Sequence, residues 1–350
     1  MMRLPKFSYR TPRTIAEAVK IVADAGPDAQ FVAGGTDLYP NMKRRQQMPK
    51  TVISVMRLPE LNQVTGDGSR GLAIGASVTL TDICENEIIK RDYPVIASAA
   101  RTISTPILRN MGTIGGNLLL DTRCNYYDQN YEWRKAINFC LKKDGDVCWV
   151  APGSSKCWAV QSSDLVPVMV AIGAKLRLVS TLGERMIDAA GFYNDDGIDY
   201  LKKRPDELLV DIHLPPTNGW RASYQKLRRR GAFDFPVLGV AAYIRVSTGS
   251  GSDRIINTTR PNDPIATAPG TDTVVDARIV LGGIAPSPIQ VTEAAQLLMG
   301  KSLNDDQIHA AAEAAYIKAR PLDNTDFVSQ WRKQMARQYT IRALEALRID

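Results

Sequence analysis

Four of the five cysteines of this 350-residue chain lie between Cys124 and Cys157, in the spacing C-x15-C-x7-C-x8-C. No other feature restricts the fold as strongly, because four thiols so close in sequence call for a shared metal or for oxidation in pairs. A tetrahedral set of sulfurs suits either a zinc ion or an iron–sulfur cluster. Spacing does not choose between them, since neither the tight C-x2-C pairs of zinc ribbons nor the ferredoxin runs are present. The stretch from Cys124 to Trp158 also holds Trp133, Trp149, Tyr126, Tyr127 and Tyr131, together with Lys142, Lys143 and Lys156. Cys84 stands apart in a helical pattern and reads as a small buried hydrophobe.

The compartment bears on the disulfide alternative. The start, Met1 to Lys6, has no apolar h-region, and the longest strongly apolar run, Leu165 to Ala174, is too short to cross a bilayer. A cytoplasmic chain with no membrane span is expected, and its thiols stay reduced. Forty-four basic against thirty-seven acidic residues give a net charge of +7, in short runs such as Lys43-Arg44-Arg45. That excess is too diffuse for a nucleic-acid face. The length predicts two or three domains with a sizeable core.

Two glycine motifs flank this picture. Thr14 and Glu17 have capping-box spacing, Ile15, Ala18, Val19 and Val22 share a helical face, and Gly26-Pro27 stops the helix. A strand at Gln30 to Ala33 then runs into Gly34-Gly35-Thr36-Asp37-Leu38. Such a turn leaves backbone N–H groups open to a phosphate, with no Cβ in the way. Gly112-Thr113-Ile114-Gly115-Gly116-Asn117 repeats the logic. Neither is a Walker loop or a G-x-G-x-x-G fingerprint. The cysteine stretch follows the second motif and precedes Ser163-Asp164-Leu165, so it reads as an insertion into an otherwise continuous fold. Further strands are expected at Thr51 to Val55, Leu72 to Ile74, Lys175 to Val179, Glu207 to Leu214, Ala222 to Leu227, Val237 to Val246 and Arg278 to Leu281. Helices are expected around Asp82 to Lys90, Pro94 to Arg101, Thr292 to Met299, Asp305 to Ala319 and Phe327 to Leu347. The polar segment 247–273 reads as a long loop. His213 and His309 are the only histidines, so no histidine acid–base site, and no catalytic residue, is expected in this chain.

Together these motifs resemble the FAD-binding subunits of the molybdenum hydroxylase (xanthine dehydrogenase) family. Val32 to Leu38 is similar to that family's first flavin loop and Thr113 to Asn117 to its second. Ser163-Asp164-Leu165, Tyr224 to Lys226, Asp234-Phe235-Pro236, Leu281 to Ala285 and the Arg-rich terminal helix match in order. The resemblance implies an α+β chain: a two-subdomain FAD-binding fold of the vanillyl-alcohol-oxidase type (1–58 and 59–219), then a smaller α+β domain (220–350). An iron–sulfur insertion would occupy 122–160. It further implies that Phe31, Val32, Ala33, Gly34, Gly35, Thr36, Asp37 and Leu38 wrap the pyrophosphate and ribose of FAD. Thr113, Gly116 and Asn117 would meet the diphosphate from the other side. Asp164 would hold a polar group at the ribose or adenine end, Ile103 and Val210 would pack near the flavin, and Lys226 would approach its pyrimidine edge.

A cysteine-bearing insertion at this point resembles the 4-hydroxybenzoyl-CoA reductase branch of the family. There Cys124, Cys140, Cys148 and Cys157 would ligate a four-iron four-sulfur cluster. Electrons would enter from a ferredoxin-like donor, pass to FAD, and leave through a small two-iron subunit to a large molybdenum-cofactor subunit, in a dimer of heterotrimers. The net reaction would be reductive removal of a phenolic hydroxyl, and substrate would never touch this chain.

Overall fold

The computed structural model describes residues 3–217, 219–247 and 273–348. The polar loop expected at 247–273 lies outside the described residues except for its two ends, which belong to strands.

The first sheet is parallel. Strands β1 (Ser8–Arg10), β2 (Ala29–Val32) and β3 (Thr51–Ser54) lie in the order β1-β3-β2. Helix α1 (Ile15–Ala25) starts as the capping spacing requires: Thr14 Oγ1 accepts from the Glu17 N–H at 3.1 Å. It ends at Gly26, whose φ of +67° suits glycine. Its buried face, Ala18, Val19 and Val22, packs toward the sheets. The chain leaving β2 makes the first glycine turn and at once forms a short helix, α2 (Leu38–Lys43).

The second sheet comprises β4 (Val64–Asp67), β5 (Gly71–Gly75), β6 (Lys175–Ser180), β7 (Gly183–Asp188) and β8 (Leu208–Leu214). All its pairings are antiparallel, in the order β4-β5-β8-β6-β7. The helical pattern expected at Asp82 to Lys90 divides in two, Leu80–Glu85 and Glu87–Asp92, because Asn86 caps the second with its side chain. Helix Leu165–Ile172 is buried at every position. A helix apolar all round needs neighbours on every side. This one is wedged between the second sheet and the third, sharing a core with Leu176 and Ile212 on one hand and Ala241 and Val280 on the other.

The third sheet is antiparallel, in the order β12-β11-β10-β9: β9 (Trp220–Leu227), β10 (Leu238–Ser247), β11 (Thr273–Gly282) and β12 (Ile289–Gln290). Side chains alternate along β10. Leu238, Val240, Ala242 and Ile244 face the helices Thr292–Leu298, Asp305–Lys318 and Ser329–Glu345, whereas Ala241 and Tyr243 face the second sheet. Burial on both faces makes this strand the seam of the molecule. Each large aliphatic side chain so buried contributes about 1.5–3 kcal/mol.

The cysteine-bearing stretch is a closed excursion. Arg123 and Val160 exchange backbone bonds of 2.9 and 2.8 Å at its base. Strands β1 and β7, and a short helix at Tyr131–Ala136, have no counterpart in the sequence expectations. Among the described residues, no helix is long and apolar enough to cross a membrane.

Candidate cofactor cleft and cysteine pocket

The two glycine motifs meet. A cleft of about 750 Å³ opens where the turn after β2 faces the start of helix Ile114–Leu118, a volume in the range of a cofactor site. The contact is closest at Gly34, where a Cβ would stand only 1.6 Å from the Met111 carbonyl oxygen. Gly35 has φ +70° and lies under the Tyr39 ring, which leaves no room for a side chain. Thr113 caps its helix, accepting from the Gly116 N–H at 3.1 Å. Asn117 Oδ1 accepts from Ser163 Oγ at 2.6 Å and from the Leu165 N–H at 3.3 Å, tying the second motif to the Ser-Asp-Leu element.

All of Phe31 to Leu38 line the cleft, and so do Ile103, Thr113, Gly116, Asn117 and Asp164. Val210 and Lys226 do not. Val210 is fully buried with Ala18, Val55 and Leu61, while Leu208 and Leu209 supply the wall. Between β6 and β8, Arg177 pairs with Asp211 and Leu178 with Leu209, so the register skips Val210. A bulge of that kind resets which residues face a cavity.

Lys226 Nζ donates to Asp164 Oδ2 at 3.0 Å, to the Thr102 carbonyl at 3.0 Å and to the Asp234 carbonyl at 2.9 Å. These three acceptors satisfy an ammonium. Asp164 reaches the cleft, and Lys226 stands directly behind it as its buried partner. Tyr224 Oη also donates to Asp164, at 2.8 Å. Burial pulls the Asp164 carboxyl up and the Lys226 ammonium down, and their mutual attraction opposes both shifts.

Several wall residues were not assigned to the cofactor site from the sequence. Arg123 Nη1 stands 3.3 Å from Asp37 and its Nε 3.1 Å from Asp128, with the guanidinium 3.9 Å from the Phe235 ring centre. Burial raises the Asp37 carboxyl to about 6, with Arg123 opposing. Burial also lowers the Lys203 ammonium to about 8. Lys203 and Arg44 line the cleft with no carboxylate within salt-bridge distance among the described residues, and so can meet an anionic ligand. Backbone N–H groups at turns without Cβ atoms, flanked by cations, fit the diphosphate of FAD.

The four cysteines of the insertion line a second, smaller pocket with Tyr126, Tyr127, Lys142 and Trp149. All four are buried and free. Cys140 is presented by a tightly twisted backbone, with Asn138, Phe139 and Asp144 at positive φ. Cys157 Sγ accepts from the Ala159 N–H at 3.4 Å, and the missing side chain of Gly197 leaves it room. Burial pushes the Cys124 thiol up to about 12 and the Cys157 thiol up to about 11, so neither ionises readily without a cation in place of its proton. Among the described residues, no three His, Cys, Asp or Glu side chains converge tightly enough for a single metal ion. The four thiols share one small space, and by type of donor they suit a sulfur-ligated metal group.

Cys124 lines both the cleft and the pocket. Between them Lys142 Nζ donates to Asp121 at 2.8 Å, to Thr122 Oγ1 at 2.8 Å and to the Gly197 carbonyl at 2.6 Å. Asn324, from the third domain, accepts from the Asn125 N–H at 2.8 Å through its carbonyl and donates its side-chain amide to the Trp158 carbonyl at 2.7 Å. It thus clasps the residues next to Cys124 and Cys157.

Residues 5–217 match the family model described as the FAD binding domain in molybdopterin dehydrogenase, and residues 222–347 the CO dehydrogenase flavoprotein C-terminal domain. The chain is 28% identical to the carbon monoxide dehydrogenase medium chain of Hydrogenophaga pseudoflava, over 98% of this chain and 97% of that one. It is 32% identical to the FAD-binding subunit PaoB of the Escherichia coli aldehyde oxidoreductase, over 87% of this chain and 90% of that one. A solved structure of carbon monoxide dehydrogenase from Hydrogenophaga pseudoflava superposes with a TM-score of 0.77 at 27% identity, covering 99% of this chain and 98% of that one. With a cleft built for a dinucleotide and family matches over nearly its whole length, the chain belongs to the FAD-binding subunits of the molybdenum hydroxylase family.

Proposed function

We propose that this chain is the electron-relay medium subunit of a molybdenum-containing complex, and that Cys124, Cys140, Cys148 and Cys157 hold a four-iron four-sulfur cluster beside its FAD. The observation that carries the reading is the shared wall: Cys124 belongs both to the four-thiol pocket and to the dinucleotide cleft. When bound, FAD exchanges one or two electrons and a four-iron cluster one at a time, which suits a converter between the two kinds of traffic. The cleft wall from Phe31 to Leu38, with Thr113, Gly116 and Asn117, would hold the diphosphate, and Ile103 would flank the flavin. Asp164 would hold a polar group of the cofactor, and Lys226, paired with it, would approach the pyrimidine edge of the flavin.

The relatives' designation as medium chains supports an assembly with a large molybdenum subunit and a small two-iron subunit. With the loop thiols assigned, only buried Cys84 is left, so two-iron clusters must come from a partner. The cysteine insertion favours a reductive complex fed by a ferredoxin-like donor, removing the phenolic hydroxyl of 4-hydroxybenzoyl-CoA within the large subunit. A second reading has its own support: the relatives named here are subunits of a carbon monoxide dehydrogenase and an aldehyde oxidoreductase, so the same relay could serve an oxidative complex.

Anaerobic isolation of the complex tests both levels. About four iron and four sulfide per chain, beyond those of the small subunit, with one FAD, are expected. Zinc without iron at these thiols would end the cluster reading. Turnover of an aldehyde or heterocycle, with none of the hydroxyaryl thioester, would select the oxidative complex.

A further inference from the structure

The cysteine loop does not rest on the cleft through Cys124 alone. Arg123, 13% exposed at its side chain, bonds Asp37 of the first glycine turn with one nitrogen and Asp128 of the cysteine loop with another. Its flat face lies on Phe235 of the third domain. The segment that follows α2 makes four more hydrogen bonds with the loop and its base. Gln46 Nε2 donates to the Tyr127 carbonyl at 2.6 Å, and Gln47 Nε2 to Asp121 at 3.1 Å. Arg134 Nη2 donates to the Arg44 carbonyl at 2.9 Å. Arg134 is fully buried, its Nε and Nη1 have no partner, and its Nη2 is held by the carbonyls of Arg44 and, at 3.3 Å, Arg45 just after α2. One end of α2 thus forms the cofactor turn and the other holds the loop.

We infer that Arg123 is a positioning residue that couples the two sites: FAD in the cleft orders the cysteine loop, and a filled cysteine pocket tightens FAD binding. The inference rests on the proposed function, because it takes FAD as the ligand of the cleft. Its physical basis is shared structure. An FAD that fixes the turn at Asp37 removes freedom from Arg123, and hence from the segment carrying Cys124 and Asp128. Linkage makes the effect reciprocal.

The test uses the full chain, freed of iron anaerobically with a chelator, with and without FAD. Alkylation by iodoacetamide is followed at each cysteine by peptide mass spectrometry. Reaction of a buried thiol reports local opening, and Cys84 serves as the internal reference for general stabilisation. FAD should slow Cys124, Cys140, Cys148 and Cys157 by about 5-fold or more relative to Cys84. At FAD concentrations where flavin fluorescence shows the cleft filled, R123M should lose that protection, and R123K should restore part of it. D128N, which cuts only the loop side of Arg123, should weaken protection in a chain whose cofactor turn is intact. If FAD binds and the loop thiols slow no more than Cys84, or if R123M and D128N keep full protection, the coupling is overturned while the cofactor reading stands. If FAD does not bind, both fall.

Discussion

Lys226 and Asp164 form a 3.0 Å ion pair, each side chain 3% exposed, that joins the first strand of the third sheet to the start of the helix wedged beneath it. Removing one partner leaves a buried charge uncompensated, at a cost of about 3–5 kcal/mol. D164N and K226M should each lower unfolding stability in urea by that order. The double variant should cost clearly less than their sum. A strictly additive cycle would show that the pair does not act as a unit.

Gly34 is where the two cofactor loops touch. In G34A the new methyl would collide with the Met111 carbonyl, so the loops must separate. FAD content on purification should drop markedly, and stability should fall by about 1–3 kcal/mol. G153A, at a position with open space around its Cβ, is the control and should keep its flavin.

The Asp37 carboxyl carries a pH signature. Its pKa is raised from 3.8 to about 6, so between those values the folded state holds more proton than the unfolded one. Stability from this group therefore falls as pH rises through roughly 4 to 6. D37N should flatten that part of the profile. One pKa unit is worth about 1.4 kcal/mol, but solvent in the cleft screens a side chain 29% exposed, so we expect a difference of ~1–2 kcal/mol between pH 4 and 7. Urea midpoints of the two proteins at both pH values check it.

Asn324 clasps the residues beside Cys124 and Cys157 and also accepts from buried Arg332, at 3.2 Å. N324A should strip the Trp158 carbonyl and one Arg332 N–H of partners, costing ~1–3 kcal/mol. The damage should be local. Amide exchange should rise in the insertion, and Cys124 and Cys157 should become more reactive, with the third-domain core unchanged.

Legibility along the chain followed the strength of the local signal. The α1 cap, the Pro94–Arg101 helix and the glycine turns were readable because spacing or residue class dictates each, whereas Leu165–Ile172 was legible as an apolar run and not as a helix. Strand β1 is three exposed residues and β7 carries no buried residue, so neither had a hydrophobic pattern to read. Val210 lies in the core behind the cleft wall, in the cluster that packs against Phe31 and Ala33, and the bulge beside it carried no mark in alternating apolar residues. Lys203, Arg44 and Asn324 came from segments without any motif. Arg123 sat next to a cysteine already singled out, yet nothing local named its partners.

The residues alone determined the kind of chemistry on offer: turns without side chains to admit a phosphate, and four thiols close together in sequence. Those properties are local, set by backbone freedom and side-chain type within a few positions. Only the tertiary structure decided what faces what. It brought Gly34 against Met111, paired Lys226 with Asp164 across two domains, and made Cys124 a wall of both cavities. Such meetings depend on packing between segments distant along the chain, where the energy lies in pairs and no single position carries a mark of its partner.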